Sequence, residues 1–177
     1  YQVLKTRDIS YGELRFLAHV EEWVELLWNS SKFANFMNFV LTNGYADNAF
    51  AFYEKLVKKF PHDSLQGKNL TYICEFLVNM ARDEFAGAAG QAVEELIKDI
   101  CVTSHKLKFP SNVVCENKSP LSYREKVEIA KEKFAIDDAT FNFKKFVSFY
   151  DLPSGNICAV NRAKKDVISG RFESVIF

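Results

Sequence analysis

Apolar residues recur along the chain at the three- and four-residue spacing of amphipathic helices. Leu14, Leu17, Val20, Val24 and Leu27 follow the capping-box pair Ser10 and Glu13, which predicts a first helix from Ser10 to about Trp28. Asn29-Ser30-Ser31 breaks the pattern, and Phe33, Phe36, Met37 and Val40 form a second stripe that ends at Asn43-Gly44. Asp47 or Asn48 can cap a third helix carrying Phe50, Tyr53, Leu56, Val57 and Phe60, stopped by Pro61. A fourth helix is predicted over 70–85 with Ile73, Leu77 and Ala81 on one face. A fifth, over 92–106, has Val93, Leu96, Ile97 and Ile100 inside. Ser122 and Glu125 form a second capping box for a helix reaching Phe134. A seventh helix is expected after Asp137-Asp138, using Phe143, Phe146, Val147 and Tyr150.

Seven such segments predict an all-α, single-domain bundle of about seven helices over residues 1–151, with 152–177 as a tail of uncertain order. Within that tail Val167-Ile168 and Val175-Ile176 need burial, on the domain or on a partner. A shift of forty places lays Phe36-Met37 on Phe76-Leu77, the period of a stacked helical pair, but no third copy follows. Composition agrees with the helical reading. Phe is frequent at 17 residues, whereas Gly (7) and Pro (4) are scarce.

Equal numbers of basic and acidic residues, 23 each, argue against a nucleic-acid binder that works through overall charge. The short clusters Lys55, Lys58, Lys59 and Arg162, Lys164, Lys165 read as solvated faces. No apolar run approaches the ~18 residues of a membrane span. Cys74, Cys101, Cys115 and Cys158 lack close pairing and read as buried or free thiols of a reducing, cytoplasmic compartment, although their even count leaves room for two disulfides. The glycosylation-type tripeptides at Asn29, Asn69 and Asn117 carry little weight, because the motif arises readily by chance.

Catalytic chemistry finds no support. His19, His62 and His105 lie far apart without metal-ligand spacing, and no phosphate-binding glycine loop or serine elbow occurs. The adjacent carboxylates Asp83-Glu84 and Glu94-Glu95 lie within or close to helices, where neighbours do not face one another, and only Asp137-Asp138 stays open as a candidate. No cofactor or metal is expected, and the chain reads as a protein-binding domain rather than an enzyme.

One stretch carries a resemblance. Leu26-Leu27, then Phe36-Met37-Asn38-Phe39-Val40, then Asp47-Asn48 leading to Phe52-Tyr53, resembles the opening of a regulator-of-G-protein-signalling (RGS) homology domain. Tyr123, Ala130, Phe134 and Asp137 fall at the intervals of that family's closing helix pair. Between Tyr53 and Ala92 the chain is longer by about one helix, so residues 62–90 read as an inserted helical segment. The Arg that follows the family's closing Asp has no equivalent, since Phe141 stands near its place. The resemblance implies binding to a Gα subunit and faster GTP hydrolysis through stabilised switch loops. It would aim Asn48 at the switch region, with Asp47 and Asp137 accepting switch backbone N–H groups and Asn112 as the nearest match to the loop Asn. Two rival readings stand beside it: a helical scaffold with no GTPase partner, and an oligomeric structural or viral subunit whose tail swaps onto a neighbour.

Overall fold

A computed structural model describes residues 8–103, 109–113, 115, 118–138 and 140–177. Helix α1 (Tyr11–Val24) opens on the Ser10–Glu13 capping box and continues through a π turn over Glu25–Asn29. Helix α2 (Ala34–Val40) follows, and its own π turn (Leu41–Tyr45) breaks where Gly44 takes φ +144°. Next come α3 (Ala49–Lys59), α4 (Leu70–Glu84) and α5 (Ala89–Thr103). Of the fifth predicted helix, residues 104–106 lie outside the described residues, as do His105 and Asn117.

Helix α5 is the axis of the fold. It packs against α2 and α4, and also against the sheet described below. Ala92, Val93, Leu96, Ile97, Ile100, Cys101 and Val102 are all buried along it, which wraps apolar contacts around most of its circumference. Around it lie Trp23, Leu27, Phe36, Leu56 and Leu77, each essentially inaccessible to solvent. Phe33, Phe36 and Phe39 are all core residues.

The all-α expectation is overturned beyond residue 142. Helix α6 (Tyr123–Lys133) forms on its Ser122–Glu125 capping box, but the expected seventh helix shrinks to a single turn, α7 (Phe143–Phe146). The chain then runs into β1 (Val147–Asp151), β2 (Ile157–Lys165) and β3 (Phe172–Ile176), an antiparallel meander in the order β1-β2-β3. The fold is therefore mixed, with seven helices and one three-stranded sheet among the described residues.

Two features hid the strands. Phe143, Phe146, Val147 and Tyr150 fit helical spacing, yet Val-Ser-Phe-Tyr over 147–150 suits a strand equally well. Residues Ile157 to Asn161 are buried without a break, because β2 is central and covered on both faces. Cys158 and Val160 join the main core beside α5, while Ala159 faces a smaller cluster with Val147, Ala130 of α6 and Phe143 of α7. A strand covered in this way shows no alternation of polar and apolar residues.

Candidate functional site

The β2–β3 connection carries the two most exposed large apolar side chains among the described residues. Val167 and Ile168 stand at its tip with 97% and 98% of their surface exposed, well beyond the other exposed apolar residues such as Trp28 at 55%. The tip is nevertheless built. Asp166 Oδ1 accepts hydrogen bonds from the N–H of Ile168 (3.1 Å), the N–H of Ser169 (2.6 Å) and Ser169 Oγ (2.7 Å). Those bonds, led by the Ser169 N–H, hold the Asp166 carboxyl below its ordinary pKa. The Asp166 N–H donates to the Arg171 carbonyl at 2.8 Å, and Gly170 closes the turn at φ +67° with its N–H on the Asp166 carbonyl.

The base of the hairpin is clamped to the helical body. Arg171 Nη2 reaches Asp99 Oδ1 at 2.7 Å, and Nη1 donates to the Ser31 carbonyl at 3.4 Å. Asp99 is fully buried on α5 and also accepts the Phe36 N–H (2.8 Å) and the Asn35 N–H (3.2 Å). These are first-turn donors of α2, and the N-cap of α2, Phe33, has no side chain able to receive them. Asp99 is thus a cap supplied from 64 residues away in the chain, placed where the helix dipole favours negative charge. Burial pushes its carboxyl up to about 6, against the opposing pull of the Phe36 N–H, the Arg171 charge and the Asn35 N–H.

A second bracing set lies along the hairpin. The Arg162 guanidinium packs over the Phe172 ring at 4.8 Å and the Tyr150 ring at 5.8 Å, and donates to the Cys101 carbonyl. Lys165 Nζ sits 5.7 Å from the Phe172 ring centroid, and Lys164 pairs with Glu173 at 2.6 Å. The cluster Arg162, Lys164, Lys165 therefore braces the hairpin as well as carrying charge at its surface.

The four residues proposed for switch binding are not joined to one another by any hydrogen bond or ion pair among the described residues. Asn48 is exposed and its side-chain oxygen caps α3 by accepting the Ala51 N–H at 3.2 Å. Asp47 is exposed just before it, and Asp137 is exposed beyond α6. Asn112 spends its amide on α4, donating to the Glu75 carbonyl and to Asn79 Oδ1, both at 2.9 Å. Replacing Asn48 by Ala is expected to cost about 1 kcal/mol through the lost cap. Urea unfolding measures this, and an unchanged midpoint would remove the capping role.

Other sequence candidates resolve into structural contacts. Lys55 pairs with Glu84, Lys58 with Glu54 and Lys59 with Asp83, so the first basic cluster is neutralised. Glu94 and Glu95 share Lys98. The four cysteines are free, and Cys74, Cys101 and Cys158 are buried in the core. A hollow of about 400 Å³ at the end of α3 is lined by His19, His62 and the Arg15–Asp63 ion pair, among others. No Ser, Thr, Cys or Lys lines it, and no group of acidic, His or Cys residues among the described residues could hold a metal ion. His19 is held below its ordinary pKa chiefly by burial, against the opposing pull of Glu22 and Asp63.

The fold and the hairpin define a mixed helix-and-sheet domain with a preorganised apolar tip. The chain belongs to the family described as Protein of unknown function (DUF4080), which matches residues 1–153. The match ends before β2, so the tip and Arg171 lie beyond it. No curated protein and no solved structure matches the chain. No helix among the described residues is long and apolar enough to cross a membrane.

Proposed function

We propose that this domain is a non-catalytic docking module that holds a protein partner through Val167 and Ile168. The observation that carries the reading is a pair of aliphatic side chains almost wholly in water on a turn fixed by Asp166, Gly170 and the Arg171–Asp99 clamp. Rigid presentation lowers the ordering cost of association, and apolar side chains surrounded by charge suit the centre of an interface. Tip residues with no role in the domain's own core have no other evident use.

A photo-crosslinking residue at position 168 tests this in the native host. A discrete adduct is expected from position 168 and not from the exposed control position Glu132 of α6. Equal labelling from both positions would sink the reading.

The narrower reading from the RGS resemblance is a separate proposal: contact with a Gα subunit through Asp47, Asn48, Asn112 and Asp137, with faster GTP hydrolysis. Exposure of Asp47, Asn48 and Asp137 supports it, and the engagement of Asn112 with α4 weighs against that residue's part. Single-turnover GTP hydrolysis by a panel of Gα subunits decides it. The reading expects acceleration that Asn48→Ala removes, and no acceleration at all would end it.

A further inference from the structure

The molecule itself carries a surface that fits its own hairpin tip. A groove of about 740 Å³ runs beside α1, with Ala18, Leu26, Leu65, Leu70 and Ile73 supplying its apolar lining. That volume lies within the range of pockets that bury whole ligands, ample for two aliphatic side chains. Glu21, Glu22 and Glu25 line the same groove from one helix and outnumber its two basic residues, Lys32 and Lys68. The tip offers one basic side chain toward that charge: the exposed Lys165 stands two places before Val167, while Asp166 between them is held by the turn's own N–H groups and Lys164 is paired with Glu173.

The two surfaces are also neighbours. Arg171, in the hairpin turn, donates to the carbonyl of Ser31, and Ser30 and Lys32 on either side of Ser31 line the groove. The tip does not fill its own groove, because the Asp99–Arg171 clamp holds the hairpin with both tip side chains in solvent. A projection and a recess side by side on one face can satisfy each other reciprocally about a twofold axis, which closes the assembly as a dimer.

Building on the docking reading, we infer that the partner of the tip is a second copy of this chain, each copy seating Val167 and Ile168 in the other's groove. Lys165 of each copy then faces Glu21 of the other, giving the contact its register.

Sedimentation velocity over a dilution series tests the inference on the full chain. Wild type is expected to sediment as a dimer that dissociates on dilution. Val167→Asp with Ile168→Asp removes the projection, and Ala18→Trp fills the recess at an exposed helix position. Each is expected to weaken the dimer by about a hundredfold or more. Lys165→Glu and Glu21→Lys are each expected to weaken it by roughly tenfold, and the double exchange to recover most of that loss. Circular dichroism identical to wild type guards against unfolding in each variant.

A wild type that stays monomeric at every concentration overturns the inference, as does a dimer indifferent to both tip and groove changes. Pelleting with phosphatidylserine vesicles that the tip substitutions abolish would overturn it in favour of a lipid surface. A monomer whose position-168 probe captures a different protein overturns the second-copy inference alone. Absence of any tip-specific adduct overturns the docking reading with it.

Discussion

Arg171→Ala is expected to destabilise the domain by about 3–5 kcal/mol at pH 8, because it strands the Asp99 carboxylate inside the core. Asp99 would keep the Asn35 and Phe36 N–H groups but lose its only cationic partner among the described residues. The loss depends on pH, and its sign follows from the direction of the shift. The folded-state pKa of Asp99 is raised to about 6 from 3.8, so the contribution of its protonated form is complete below 3.8 and lost as pH rises through 6. Without Arg171 that pKa rises further, and the variant's deficit grows wherever wild type ionises and the variant resists. At pH 5 both carboxyls are largely protonated, and the deficit is expected to fall to about 1–2 kcal/mol, the worth of the remaining hydrogen bonds. Urea unfolding at the two pH values measures both numbers. An equal loss at pH 5 and pH 8 would mean that Arg171 acts by packing alone.

Phe60→Ala is expected to cost about 3–5 kcal/mol, the range for truncating a buried aromatic. Phe60 is 5% exposed and is the hub of an aromatic cluster. Its ring centroid lies 5.0 Å from that of Phe76, 5.3 Å from Trp23 and 5.9 Å from His19, linking α1, α3 and α4. The exposed pair His62 and Tyr72 packs on its other side. Phe60→Leu retains part of the volume and should cost less than half as much. A urea midpoint for Phe60→Ala close to wild type would show that the three helices are held together elsewhere.

The helices were legible in the sequence because their signals are local. Ser10 with Glu13 and Ser122 with Glu125 each announce a helix start, and both capping boxes form. Pro61 and Gly44 mark stops through their own backbone geometry. The strands were not legible. A buried central strand such as Ile157–Lys165 loses the alternation that identifies a strand, and helical spacing in 143–150 offered a competing pattern. The Leu152-Pro153-Ser154-Gly155-Asn156 stretch was the local hint of a hairpin turn between β1 and β2.

The candidate site was half legible. That Val167-Ile168 needs either the core or a partner follows from hydropathy alone, and the geometry leaves both side chains in water. The Arg171–Asp99 clamp joins positions 72 residues apart. It leaves no trace in periodicity, where Asp99 reads as an ordinary polar position of an amphipathic helix. Its hidden signal was the second face of α5, where Ala92, Leu96 and Asp99 share one side of the helix at spacings of four and three.

On the docking proposal, Val167 and Ile168 serve contact with a partner and nothing in the domain's own fold. Comparing wild type with the Val167→Asp, Ile168→Asp double variant tests both halves at once, by urea unfolding of the probe-free proteins and by capture with the photo-crosslinking residue moved to the exposed position Lys165 in each. Stability within about 0.5 kcal/mol of wild type, with capture abolished, is the predicted result. Capture that survives the two aspartates would contradict it.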